Sequence, residues 1–181
     1  MTWLGALVAV VAGASLFVTA GSASASVGQY LDISNIYYRT CATAVNGNLN
    51  AAVGQYVCIN SDLQLWFPAN YPPRQPGQPA YLHLINRYTG YCLEVNNNST
   101  AAGARVDAFY CGSSGVDWMW TPRVRTVAGI YGWLEHLVNG QPTGECLDTV
   151  GGANSLLMQY TCDRTLHGGH PETDPQLWKL S

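Results

Sequence analysis

The residues with the most chemical potential in this chain are six cysteines and one cluster of histidines and acids. Cys41, Cys58, Cys92, Cys111, Cys146 and Cys162 are even in number and fall in three pairs separated by 17, 19 and 16 residues. That spacing predicts sequential disulfides, 41–58, 92–111 and 146–162, rather than any of the other pairings six thiols permit. His167, His170, Glu172 and Asp174 lie within eight residues of each other, and residues of those types ligate metals. They are interleaved with Gly168, Gly169 and Pro171, which make turns rather than a rigid cage, so the segment reads as a polar loop with no metal and no cofactor. No nucleophile motif or Ser-His-Asp order is present, and no carboxylate pair is placed by a glycosidase pattern. An enzyme is therefore not expected.

Disulfides imply an oxidising compartment, and the N-terminus agrees. Leu4 to Ala20 is uncharged and rich in Leu, Val and Ala, and Ala23-Ser24-Ala25 follows as a small-x-small cleavage pattern. No Lys or Arg precedes the run. The reading is a signal peptide over residues 1–25 and a secreted mature domain over 26–181. The competing reading is an uncleaved anchor, because about 17 apolar residues is near the lower limit for spanning a bilayer. No later stretch is apolar for long enough to cross a membrane. Only 10% of the chain is charged, with a net charge of −3, and no basic stripe suggests nucleic acid.

The elements that hold these residues recur three times. The first unit opens at Tyr30 to Asn35, continues with Thr40-Cys41, and closes with Cys58 and Gln64-Leu65-Trp66. The second opens at Tyr81 to Asn86 and closes with Cys111 and Trp118-Met119-Trp120; the third opens at Leu134 to Asn139 and closes with Cys162 and Gln176-Leu177-Trp178. In this alignment 26 residues separate Trp66 from Cys92 and also Trp120 from Cys146. Period-two alternation, β-prone runs at 105–110 and 155–160, and the turn dipeptides Asn46-Gly47 and Asn139-Gly140 predict strands. No segment carries a capped helical stripe. The joins at 70–79, with its four prolines, and at 123–132 read as loops. The expectation is an all-β domain of three repeats, about 29–69, 80–122 and 132–181, each too small to bury a core alone. Trp66, Trp120 and Trp178 are expected in a shared core.

Cys-Leu-Asp or Cys-Leu-Glu, a second cysteine and then Gln-x-Trp, repeated in register over residues 29–181, resembles the ricin B-chain-type lectins. The resemblance implies a β-trefoil and a glycan or polysaccharide ligand, with galactose- or xylose-type sugars as candidates. It also implies a site in each lobe: an acid two residues after the first cysteine, an aromatic ring two before the second, and the Gln of Gln-x-Trp. By that rule the third lobe keeps Asp148, Tyr160 and Gln176; Pro175 replaces a customary Asn, for which Asp174 or Asn154 would compensate. The second lobe has Glu94 and Phe109, with Trp118 at the Gln position. The first has Tyr56 and Gln64, but Thr43 in place of the acid, and a hydroxyl is no bidentate acceptor. The expected order of competence is third, second, first. The alternative function is a non-enzymatic trefoil scaffold that binds a protein partner, an inhibitor or toxin accessory, with degenerate sugar sites.

Overall fold

The computed structural model describes residues 29–163 and 173–181. The expected signal peptide, and His167, His170 and Glu172, lie outside the described residues.

Among the described residues twelve strands follow one another, four to a repeat: β1 Leu31–Asn35, β2 Thr40–Ala44, β3 Ala51–Val57 and β4 Leu65–Tyr71; β5 Tyr81–Asn86, β6 Cys92–Val95, β7 Val106–Phe109 and β8 Trp118–Thr126; β9 Gly129–Val138, β10 Gln141–Thr149, β11 Leu157–Thr161 and β12 Trp178–Leu180. The first and last strand of each repeat pair with each other and with the next repeat. β1 thus pairs with β4, β4 with β5, β5 with β8, β8 with β9, β9 with β12 and β12 with β1, which closes a six-stranded barrel. The middle strands form hairpins, β2–β3, β6–β7 and β10–β11, that cap one end. Closure leaves the barrel without an open edge. This is the threefold β-trefoil arrangement that the motifs imply. Each hairpin is joined by its expected disulfide, Cys41–Cys58, Cys92–Cys111 and Cys146–Cys162.

The core runs along the threefold axis. Ile33, Leu84 and Leu134, one from each repeat, are buried there with Trp66, Trp118 and Trp178. Each of these indoles donates Nε1–H to the carbonyl of the residue after the first cysteine of its own repeat: Ala42 at 3.0 Å, Leu93 at 3.0 Å and Leu147 at 2.9 Å. A buried indole N–H needs such a partner.

This geometry corrects the sequence alignment in two places. The closing tryptophan of the second repeat is Trp118, not Trp120, which is only half-buried. The third repeat opens three residues earlier than expected, because Trp66 pairs with Asn86, Trp178 with Asn35 and Trp118 with His136. His136 therefore occupies the asparagine position, and Asn139 is instead an exposed turn residue. The expected loop at 123–132 is also corrected: it is the outer part of a long β8–β9 hairpin, paired through Thr126↔Gly129. Asn139-Gly140 links β9 to β10 with φ of 52° and 76°, the two positive values a two-residue type I′ hairpin requires.

The proline-rich join expected over 70–79 is a loop from 72 to 80, while Asn70 and Tyr71 instead extend β4 by pairing with Leu82 and Tyr81. It is tied down where Arg74 pairs with the buried Asp117 at 2.6 Å and the other Asp117 oxygen meets His83 Nε2 at 2.8 Å. Leu65 and Leu177 hold the corresponding place in the other repeats and are buried.

Candidate functional site

In the third lobe, β10 and β11 pair through Cys146↔Tyr160 and Asp148↔Met158. Residues two apart on a strand share a face, so Asp148 and Tyr160 project to the same side of the hairpin. The segment that turns into β12 brings Asp174, Pro175 and Gln176 to meet them. Together with Thr161 and Asp163 these residues line a cavity of about 260 Å³. The three residues that the sequence motifs select here, Asp148, Tyr160 and Gln176, do come together.

Gln176 holds the site in shape. Its Nε2 donates to Asp148 Oδ2 at 2.7 Å and to the Thr161 carbonyl at 3.1 Å, while its Oε1 accepts the Asp163 N–H at 2.7 Å. The Gln176 N–H in turn donates to Asp174 Oδ1 at 2.8 Å, and Asp174 is fully buried. The Thr149 N–H donates to Asp148 Oδ1. Each carboxylate oxygen of Asp148 therefore accepts one protein hydrogen bond and keeps a lone pair for a ligand donor. Burial raises the Asp148 pKa above the usual aspartate value, against the opposing pull of the Gln176 and Thr149 donors. Tyr160 is half-buried, its phenol beside Gly103, where an added Cβ would lie 3.4 Å from the hydroxyl oxygen. No Lys, Arg or His is among the described lining residues. A carboxylate acceptor beside a partly exposed flat ring matches the two faces of a sugar, hydroxyls on one and C–H groups on the other.

The first lobe has the same clamp without the acid. Gln64 Nε2 donates to Thr43 Oγ1 at 3.1 Å and to the Val57 carbonyl at 2.9 Å, and its Oε1 accepts the Ile59 N–H at 2.8 Å. Tyr56 faces Cys41 across β2 and β3, and Thr43 spends its own proton on the Cys41 carbonyl.

The second lobe lacks the clamp. With Trp118 as its closing tryptophan, the residue two before it is Val116, which is fully buried; the expected placement of Trp118 at the Gln position is corrected accordingly. Glu94 is 6% exposed and its Oε2 accepts a hydrogen bond from Ser113 at 3.0 Å. Burial raises its pKa, ahead of the lowering effect of Ser113 and the raising effect of Asp107. An added Cβ at Gly115 would lie 3.0 Å from Glu94 Cγ, so the loop closes directly over this side chain. Phe109 is half-buried against Tyr110.

Asn154 does not line the third-lobe cavity. It sits exposed at φ 73° in the β10–β11 turn, where its N–H donates to the Gln55 carbonyl at 2.7 Å. It belongs to the seam with the first lobe. Thr161 and Asp163 line the cavity without having been selected from the sequence. Asp163 had a usable signal, as the residue directly after the second cysteine.

Comparison with known proteins agrees with the fold. The model of the ricin-type β-trefoil lectin domain-like family matches residues 11–110. Among solved structures, the designed threefold-symmetric protein ThreeFoil is 23% identical with a TM-score of 0.64, over 83% of this chain and 96% of that one. The ricin B-like lectin of Macrolepiota procera, solved with lactose, is 17% identical with a TM-score of 0.59, over 86% and 96%. The exo-β-1,3-galactanase of Clostridium thermocellum is 17% identical with a TM-score of 0.64, over 84% of this chain and 30% of that one. No curated protein matches. With more than half of its length matched by the family model and its three lobes closed on one barrel, this chain belongs to the ricin-type β-trefoil lectin domain-like family.

Proposed function

We propose that this protein binds carbohydrate, without catalysis of its own, through the third-lobe cleft, with galactose- or xylose-type sugars as ligands. The observation that carries this reading is the Gln176 clamp on Asp148, opposite Tyr160 in one cavity. Asp148 accepts two neighbouring sugar hydroxyls, and Tyr160 covers the apolar face of the ring. The other two lobes contribute scaffold: one lacks the acid, the other the clamp. The three disulfides support action outside the cell after removal of residues 1–25, which N-terminal sequencing of the secreted protein tests.

The direct test is titration of the protein with galactose, lactose, xylose and xylo-oligosaccharides, alongside Asp148→Asn. Hydrogen bonds to a charged acceptor contribute about 1.5–3 kcal/mol each, so the variant should bind at least about 10-fold more weakly. Equal affinity of the two proteins for a sugar would place the site elsewhere. Failure of both on every glycan would leave the protein-binding scaffold as the reading to pursue.

A further inference from the structure

Residues 39, 90 and 144 hold the same place in the three repeats, two before the first cysteine. All three have positive φ: 55° at Arg39, 69° at Gly90 and 82° at Gly144. Arg39 and Gly90 even make the same hydrogen bond, N–H to the Asn35 and Asn86 carbonyls at 3.1 and 2.9 Å. The left-handed region suits glycine and strains an L side chain. The first repeat therefore carries an arginine where the fold favours no side chain at all. The other seven described positive-φ residues that are not glycine are all asparagine, which tolerates this region, so the arginine is the outlier that directs attention to what its side chain faces.

Arg39 lines a cavity of about 450 Å³ together with Ile36, Cys58, Thr126, Ala128 and Tyr131, between the first lobe and the tip of the β8–β9 hairpin. Three large apolar side chains adjoin this opening in the chain and stand in water: Val57 at 66%, Ile59 at 71% and Val127 at 111% exposure. No acid is among the described residues that line the cavity. Arg74, Arg87 and Arg105 each pair with an aspartate, whereas Arg39, which is exposed, has no acid partner among the described residues.

We propose that this cavity docks an acidic, apolar segment of a partner protein. An aliphatic side chain of that segment enters beside Ile36 and Tyr131, and a neighbouring carboxylate pairs with Arg39. The volume is that of a ligand site, but the apolar side chains outside it call for an occupant larger than a small molecule. A lipid surface would require several cations. Arg125 does not supply them, because it pairs with Ile130 and so lies on the opposite face of the hairpin from Val124 and Tyr131. The charge complement of an unpaired guanidinium over apolar walls is a carboxylate on an apolar body.

Because glycine is the relaxed residue at this position, Arg39→Gly removes the side chain without harming the fold. Its thermal midpoint should equal or exceed that of the wild type, and its glycan binding should be unchanged. The probes are fluorescent 12-residue peptides of Leu and Glu, with matched Leu and Lys peptides, read by anisotropy on the full chain. Wild type should bind the Leu/Glu set, more weakly as salt rises, and Arg39→Gly should lose at least about 10-fold in affinity while Arg125→Ala does not. Equal binding of the Leu/Lys set, no binding of the Leu/Glu set, or unaltered binding by Arg39→Gly would overturn the proposal. So would sedimentation showing a wild-type dimer that Arg39→Gly dissolves, since the occupant would then be a second copy.

Discussion

The second and third lobes are the same four-strand unit, yet only one of them presents its carboxylate. In the third lobe Asp148 is held at a cavity wall by Gln176. In the second, Glu94 carries the same charge on a longer stem and lies beneath Ser113 and Gly115. The decisive difference is at the clamp. Gln176 ties together the acid, the Thr161 carbonyl and the Asp163 N–H; Val116 can tie none of these. A buried carboxyl without a fixed donor turns to whatever hydroxyl is within reach, and here that is Ser113. The first lobe completes the lesson, since Gln64 makes all three bonds in a lobe with no acid. The glutamine belongs to the scaffold of both lobes, and the third lobe alone adds a carboxylate to it.

The sharpest way to break the comparison is to give the third lobe the second lobe's residue. Gln176→Val strands the Asp163 N–H and the Thr161 carbonyl and frees Asp148 to rotate. Both groups are part-buried, so water replaces some of what is lost, and the pair together costs about 1–3 kcal/mol. Stability should fall by that amount in urea titration, and sugar affinity by about 100-fold or more. Intact sugar binding in a folded variant would show that Asp148 needs no clamp.

The seam between the same two lobes offers a second test. Asn35 and Asn86 each bridge back to the preceding lobe through Nδ2, to Pro175 and Leu177 or to Leu63 and Leu65. At the seam of the second and third lobes His136 stands in that place, fully buried beside the Trp118 ring. Burial lowers its pKa to about 4, against the opposing effects of the Gln159 side chain and the Asp117 charge. The native state resists a proton that the unfolded chain takes up near 6.5, so stability falls as the pH drops from about 6.5 to about 4. The loss is on the order of 3 kcal/mol. Glu94 and Asp148, whose pKa values are raised, act the other way: their native forms hold protons longer, and their penalty eases on acidification. His136→Asn removes the first effect and keeps the second. Urea midpoints at pH 7.5 and 4.5 should therefore drop steeply in wild type and much less in the variant. Parallel drops would assign the acid sensitivity to other groups.

Much of this was legible beforehand where residues are counted from the cysteines. Asp148 and Tyr160 lie at fixed offsets from Cys146 and Cys162 on adjacent strands, so spacing and the family resemblance were enough to pair them. What was not legible depended on choices that only packing makes. Trp118 and Trp120 both offer a tryptophan near the right distance, and the hydrogen bond to Leu93 decides between them. Six residues separate Asn35 from Cys41 and Asn86 from Cys92, but ten separate His136 from Cys146, so Asn139 appeared aligned when His136 is. The run 123–132 carries Arg, Val and Gly, and its one inward face is the cross-strand pair Val124 and Tyr131, too short an alternation to mark a strand. It becomes a strand pair only because β9 draws β8 along it. Asn154 read as a helper of Asp148, but its turn faces the neighbouring lobe, a contact that no local spacing encodes.

The smallest expected effect sharpens the comparison from the other side. Thr43 pairs with Gly54 and Cys41 with Tyr56, the register that Asp148 and Tyr160 share with their own partners in the third lobe. Gln64 already offers Nε2 to the side chain at 43. Thr43→Asp would place a carboxylate on a finished clamp opposite a tyrosine. The surround remains poorer, however: Ile59 stands where the third lobe has Asp163, and Asp62 is solvent-exposed and paired with Arg87 at 3.4 Å, where Asp174 is buried. The added site should therefore be weak, raising retention on a multivalent glycan resin by a few-fold through avidity and leaving monovalent affinity unchanged. The gain should survive Asp148→Asn as a small residual retention. Its absence would mean that a clamped acid and a ring do not suffice, and that the walls formed by Asp163, Asp174 and Pro175 make up the rest of the site.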